Sequence, residues 1–274
     1  MPELPEAETI ARDLRGRVVG KTVTRVEVAK PDVLAPGLTA RRLGAGLRGH
    51  AIRDVGRRGK NVVLRFDDGR VLVVNLGMTG RLVFSGAPRA AELRHVAARL
   101  FLDDGHAILY DDSRRFGRMA LLSAAEWEEA QERLGIEPLS DELTAERLYA
   151  LTRGSRVAIR NWLLDQTKLA GVGNIYANEA LFRAGIRPTR RAGTLTRRET
   201  AALRDALRDV LTEAIAARGT TVSDYRDSAG EPGGFGPRLR VYDREGEPCP
   251  VCGTPIKRVA IGGRSAFYCP RCQT

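Results

Sequence analysis

The chain has 274 residues, 43% hydrophobic and 29% charged, a profile that fits one large or two ordinary folded domains and excludes a disordered tail protein. Lys and Arg exceed Asp and Glu by 45 to 34, a net +11, and 40 of the 45 cations are Arg. Such a surface favours a polyanion, because neutralising phosphates releases condensed counterions; a GC-rich coding bias would explain the choice of Arg over Lys but not the excess charge. No apolar run approaches the ~20 residues of a membrane span, and the acidic, Pro-rich start lacks the basic n-region of a signal peptide. A cytoplasmic protein with no membrane partner is expected.

In chain order, residues 5–19 read as a helix: Pro5 suits a first turn, Glu6 and Glu8 suit its positive end, and Ile10, Leu14 and Val18 recur every four residues. From about 21 to 122 the chain turns to strand chemistry, as in Lys21–Val28, Asn61–Phe66, Arg70–Leu76, Arg81–Phe84, Arg99–Leu102 and His106–Tyr110. Two Asp-Asp-Gly turns, Asp67–Gly69 and Asp103–Gly105, join neighbours as hairpins. Helical spacing follows over Ala124–Leu134, Thr144–Thr152, Arg156–Leu164, Ile175–Ala184 and Thr196–Ala217, with a Gly-rich turn at Leu169–Asn174. The Gly-, Pro- and charge-rich stretch 219–240 reads as a mobile loop. The expected fold is α+β with two domains. An N-terminal β-sandwich with an N-terminal helix (1–135) precedes a helical domain (136–236) and a β-hairpin metal module (237–274).

All four cysteines lie in two CxxC knuckles, Cys249–Cys252 and Cys269–Cys272, sixteen residues apart. That spacing places four thiolates around a tetrahedral Zn²⁺ with no open position, so the metal is expected to be structural. A pair of disulfides is the alternative, disfavoured in a cytosolic chain that has no other cysteine. Ile261-Gly-Gly-Arg264 reads as the hairpin turn of this ribbon, with Arg264 at the tip.

Pro2 follows the initiator Met, and loss of Met1 would expose a secondary amine able to form a cationic iminium with an aldehyde-like carbon. Taken alone, Pro2 and Glu3 are an ordinary helix start. Together, however, Pro2-Glu-Leu-Pro-Glu-Ala-Glu-Thr9 resembles the N-terminus of bacterial formamidopyrimidine-DNA glycosylases, which excise oxidised purines and cleave the abasic strand. The resemblance continues in order through Leu76–Gly80, Asp112–Gly117, Gly171–Tyr176 and Gly262–Gln273. These segments are similar to that family's wedge loop, second intercalating segment, helix–two-turns–helix motif and zinc finger. The sister endonuclease VIII family usually lacks the Leu-Pro-Glu start and the Arg-Arg-Phe-Gly segment.

The resemblance implies Pro2 as nucleophile, Glu3 as general acid/base, Lys60 in proton transfer during β-elimination, and Arg264 in δ-elimination and phosphate grip. Lys60 is one of only five lysines, and only a lysine offers a titratable amine there. The resemblance further implies DNA contacts by His95, Arg115, Arg156 and Asn174, with position 156 commonly Lys in relatives, and duplex insertion by Met78, Arg114 and Phe116. Enzymes acting on a base inside a duplex extrude the nucleotide, and apolar wedges fill the vacated stack. For Met78 and Phe116 singly, a place in the core is the competing reading; for His95 it is a structural role at a strand edge. Damaged double-stranded DNA is the expected partner, structural zinc the only cofactor, and a nucleoid-associated bacterial monomer the expected form. Two other readings remain: a non-catalytic zinc-ribbon DNA-binding protein, which leaves Pro2, Glu3 and Lys60 unexplained, and a glycosylase for pyrimidine lesions.

Overall fold

The computed structural model describes residues 2–221 and 225–274, and contacts divide the chain into two compact units. One comprises Met1–Arg133 with Ile215–Gly236, the other Leu134–Ala214 with Pro237–Thr274.

The first unit opens with α1 (Leu4–Val18), which has Glu6 in its first turn and Arg15 and Arg17 in its last, both matched to the helix dipole. Ile10, Leu14 and Val18 are fully buried, as their spacing requires. Two four-stranded antiparallel sheets follow, ordered β1-β6-β7-β5 and β2-β3-β4-β8. The strands are β1 (Val23–Val28), β2 (Ile52–Arg58), β3 (Asn61–Phe66), β4 (Val71–Asn75), β5 (Arg81–Phe84), β6 (Val96–Leu102), β7 (Ala107–Asp111) and β8 (Arg118–Leu122). Leu64 and Val74 from one sheet, Leu82, Leu100 and Tyr110 from the other, and the apolar stripe of α1 form one continuous core. Both Asp-Asp-Gly turns are as expected. Gly69 and Gly105 take φ of +84° and +83°, and Asp68 and Asp104 each accept a backbone N–H two residues on.

One helix was not legible in the sequence. Ala40–Leu47 forms α2 despite glycines at 44 and 46, capped by the Thr39 hydroxyl, which accepts the Arg42 N–H at 3.2 Å. Packing overrides propensity here: a β-carbon on Gly46 would stand 2.5 Å from a Leu121 methyl, which would have to shift to admit it. A further helix, α3 (Ala124–Glu132), lays Trp127 on Val63 and Val71. Residues 215–236, expected at the end of the helical domain, cluster with the first unit instead. Arg218 pairs with Asp13 at 2.5 Å and with Asp227 at 2.6 Å, and Ser228 donates to Asp13 at 2.7 Å. Of the mobile loop expected over 219–240, residues 222–224 lie outside the described residues, whereas Tyr225, Asp227 and Ser228 are buried.

The second unit holds α4 (Ala145–Thr152), α5 (Ile159–Leu164), α6 (Asn174–Arg183) and most of α7 (Arg197–Ala216). It ends in a hairpin, β9 (Lys257–Ile261) and β10 (Arg264–Tyr268), that turns on Gly262 and Gly263. Their φ values of +54° and +74° explain the pair of glycines. From Ile175 to Phe182 every residue of α6 is buried.

Glu199, near the start of α7, accepts from Arg190, and that bond holds its carboxyl at about 2 against an ordinary 4.5. A depressed folded-state pKa stabilises above the ordinary value and is lost as pH falls through the depressed one. Wild type should therefore lose stability as pH drops from 4.5 towards 2, and Glu199→Gln should flatten that slope in acid denaturation followed by circular dichroism.

Candidate functional site

The start of α1 lies inside the protein. Pro2 is buried, and Glu3, the residue preceding the first turn, is 1% exposed. A buried helix start leaves backbone N–H groups in need of acceptors, and Glu6 supplies them. Its two carboxylate oxygens accept the Glu3 N–H at 2.8 Å and the Thr220 N–H at 2.7 Å. Sequence reasoning treated Glu6 as an ordinary helix-start carboxylate; the available signal was its position three residues beyond Glu3, that of a capping box. Tyr225 packs in the same region. Burial first, then the charge of Glu6, pushes its phenol well above the usual range.

Lys60 stands with Gly59 at the two-residue turn between β2 and β3, where Gly59 takes φ +58°. Arg57, just before the turn, donates to Glu8 of α1 at 2.9 Å, which fixes the turn against the helix that begins at Pro2. Burial alone would raise the Glu8 carboxyl, but bonds from Arg12 and Arg57 outweigh it and hold the carboxyl low. A relay of amides then links this turn to the Met78 loop. Asn75 donates to Asn61 at 2.9 Å and accepts the Gly77 N–H at 3.0 Å.

Met78 and Phe116 are 36% and 54% exposed, so neither belongs to the core. Their loops touch through glycine. A β-carbon on Gly77 would lie 2.5 Å from the Gly117 nitrogen, so only a bare backbone fits there. The Arg114 guanidinium stacks over the Phe116 ring at 4.7 Å. Arg115 adopts φ +54°, a strained value for a side chain of this size, and pairs with Asp32 at 2.6 Å. His95, at the entry to β6, is exposed; its N–H donates to Asp111 at 2.7 Å and its carbonyl accepts the Asp112 N–H at 3.1 Å. It opens onto a cleft of about 290 Å³ that is also lined by Arg81, Arg89, Arg94 and Arg226. Pro2, Glu3, Lys60, Met78, His95, Arg114, Arg115 and Phe116 thus all belong to the first unit.

Arg156, Asn174 and Arg264 belong to the second unit. Arg156 is exposed just ahead of α5, which starts three residues later than its spacing suggested. Asn174 opens α6, and its Nδ2 donates to the Ser265 carbonyl at 3.0 Å, so the side-chain amide expected to hold phosphate is tied to the hairpin. Arg264 is exposed beside the Gly262-Gly263 turn. A residue missed by sequence reasoning sets its place: Arg160, 1% exposed, donates to the Arg264 carbonyl at 2.5 Å and to Asn161 at 2.8 Å. Only the fold distinguishes this buried guanidinium from the other arginines. The four cysteine sulfurs lie within 4.8 Å of one another, with Cys249–Cys272 at 3.9 Å and Cys252–Cys269 at 3.5 Å.

Residues 1–119 match the formamidopyrimidine-DNA glycosylase N-terminal domain, 134–226 its H2TH domain, and 246–274 the zinc finger found in FPG and IleRS. The chain belongs to the formamidopyrimidine-DNA glycosylase family. It is 45% identical to the formamidopyrimidine-DNA glycosylase of Symbiobacterium thermophilum over its whole length and 89% of that protein. It is also 45% identical to that of Syntrophotalea carbinolica over the whole of both chains. The crystal structure of Thermus thermophilus MutM (Fpg) superimposes with a TM-score of 0.87 at 41% identity, covering 99% of this chain and 98% of that one. Lactococcus lactis Fpg in complex with abasic-site DNA superimposes with a TM-score of 0.89 at 30% identity, covering 99% of each chain.

The zinc finger of this glycosylase family accounts for the cysteine cluster. Zn–S bonds of ~2.3 Å in a tetrahedron set sulfurs about 3.8 Å apart, which fits the two short separations. The knuckle amides support thiolates: the Val251 N–H points at Cys249 Sγ at 3.5 Å, and the Cys272 N–H at Cys269 Sγ at 3.4 Å. Gln273, fully buried, fastens the second knuckle by accepting the Cys269 N–H and donating to the Ile186 carbonyl, both at 2.8 Å. Four thiolates fill the coordination shell of one zinc, which leaves the metal a structural part. Metal analysis should find one zinc per chain, and Cys249→Ser should abolish it and loosen residues 237–274. The unfolding transition of the β-sandwich should persist in that variant; its loss would contradict a modular finger.

Proposed function

We propose that the protein is a bifunctional DNA glycosylase and AP lyase that excises oxidised purines such as 8-oxoguanine and formamidopyrimidines from duplex DNA. The observation that carries this reading is the buried helix start. Pro2 and Glu3 lie at the positive end of α1, and the Lys60 turn is fastened to the same helix through Arg57 and Glu8. The relatives point the same way. Lactococcus lactis Fpg has been solved with abasic-site DNA and a variant of it with Fapy-dG-containing DNA, and MutM with carbocyclic 8-oxo-G-containing DNA.

In this reading Met1 is removed and the Pro2 amine attacks the anomeric carbon of the damaged nucleoside. The new N–C bond forms as the glycosidic bond breaks, and the base leaves with its electron pair and takes up a proton. Glu3 serves as general acid/base: its own proton and the one lost by the secondary amine go to the departing base and to the sugar oxygen as the ring opens to the cationic iminium. The iminium is an electron sink, so a proton lost from the neighbouring carbon expels the 3′ phosphate; Lys60 handles proton transfer in this β-elimination. Arg264 promotes the second, δ-elimination, which expels the 5′ phosphate. Met78, Arg114 and Phe116 fill the stack left by the everted nucleotide, and His95, Arg115, Arg156 and the backbone amides of the turn ending at Asn174 hold phosphates. The exposed guanidiniums and the net charge of +11 suit this partner. The enzyme works as a monomer in the cytoplasm, on the nucleoid; no described helix is long and apolar enough to cross a membrane.

Borohydride should trap a covalent protein–DNA adduct on 8-oxoguanine duplex, and intact mass should show that Met1 is absent. Trapping should vanish when the N-terminal amine is blocked; an adduct that survives the block rules out Pro2 as nucleophile. Lys60→Ala should slow strand cleavage on abasic duplex by about 100-fold, the scale of one lost acid–base catalyst. Arg264→Ala should leave β-elimination products to accumulate at the expense of δ-products on a sequencing gel.

A further inference from the structure

Asp112 is 1% exposed, and its carboxylate is the point at which the two wedge-bearing loops meet. One oxygen, Oδ1, accepts the Thr79 hydroxyl at 2.5 Å and the Arg114 N–H at 3.2 Å. The other, Oδ2, accepts the Tyr110 hydroxyl at 3.1 Å and the Gly117 N–H at 2.9 Å. Thr79 adjoins Met78, and Arg114 and Gly117 bracket Phe116. The Arg114 N–H reaches the Thr79 hydroxyl as well, at 3.1 Å. Four donors therefore converge on one acceptor-only side chain and use up its lone-pair sites. The packing admits no substitute: a β-carbon on Gly117 would fall 1.8 Å from the Tyr110 hydroxyl, and one on Gly80 would fall 2.8 Å from it. Burial first, then the charge of Asp112, keeps the Tyr110 phenol protonated and hence a donor.

We propose that Asp112 is a positioning residue that locks the Met78 loop and the Arg114–Phe116 loop into a single rigid wedge for opening the duplex. This inference rests on the glycosylase reading above. Prising a nucleotide from the stack costs a few kcal/mol, and that load falls on two loops without regular secondary structure. If each loop moved separately, each would lose its own freedom on binding, and Met78 would not enter in register with Arg114 and Phe116. A shared carboxylate removes that freedom before DNA arrives. The side chain touches no reacting atom in this account, so it matters for opening a duplex and not for the chemistry at the sugar.

Asp112→Asn keeps the shape but sets an NH₂ group against two of the four donors. Single-turnover excision of 8-oxoguanine from duplex should fall about tenfold or more, a change of ~1.4 kcal/mol in the barrier. The rise in 2-aminopurine fluorescence opposite the lesion on binding should shrink in parallel. Cleavage of an abasic site in a single-stranded oligonucleotide, which needs no wedge, should stay within about twofold of wild type. Thr79→Val breaks only the link to the Met78 loop and should lower duplex excision and the 2-aminopurine signal while leaving single-strand cleavage within about twofold of wild type, and Thr79→Ser should keep both duplex readouts; this pair decides the matter if Asp112→Asn fails to fold. Equal losses on duplex and single strand, or full duplex activity in Asp112→Asn and Thr79→Val, would overturn the proposal. A wild-type protein that cleaves neither substrate would instead overturn the glycosylase reading.

Discussion

The structure depends on burying the first turn of a helix. α1 presents an apolar stripe that the β-sandwich covers, and this draws Pro2 and Glu3 out of water. A helix start in the interior exposes N–H groups to an environment with no solvent to satisfy them, so an internal acceptor is obligatory. Glu6 is that acceptor. By accepting from Thr220 as well as from Glu3, it ties the returning segment 215–236 to the first unit. The same constraint leaves the N-terminal residues in a rigid setting, which suits the nucleophilic role proposed for Pro2.

The same solution recurs wherever irregular chain must be held. Asp112 gathers the Thr79 hydroxyl and the Arg114 and Gly117 N–H groups of the Met78 and Arg114–Phe116 loops, together with the Tyr110 hydroxyl of β7. Glu179, fully buried on α6, accepts the N–H groups of Arg240, Val241 and Tyr242, each at 2.9 Å, and so pins the approach to the finger. Asp227 accepts the N–H groups of Ala229 and Glu231 and pairs with Arg218. Loops cannot satisfy their own backbone donors as helices and strands do. A buried carboxylate, which accepts at both oxygens, holds several donors at once, and its bonds are charge-assisted. The loops expected to meet DNA are thereby shaped in advance.

The arginines divide along the same line. Arg57, Arg160 and Arg183 spend donors on carboxylates or carbonyls within their own unit. Arg114, Arg156 and Arg264 are exposed, and Arg115 shares its charge with Asp32. Net charge therefore names the class of partner but not the residues that meet it, because a guanidinium fastened inside the fold and one facing solvent count equally in the total.

Much of the fold was legible because local patterns carry it. Four-residue apolar spacing gave α1, stretches of strand chemistry with two Asp-Asp-Gly turns gave six of the eight sandwich strands, and two CxxC knuckles gave the metal centre, since ligand type and spacing alone specify a tetrahedral thiolate site. The order of five short segments gave the family. What the tertiary structure alone decided is which polar groups are buried and what they bond: Glu6 to Thr220, Asp112 to Thr79, and Arg160 to the Arg264 carbonyl. It also decided that two glycines could sit inside α2. These pairings span from 33 to 214 residues of sequence. No periodicity reports such a contact, because its partner is set by how distant elements pack and not by the residues on either side.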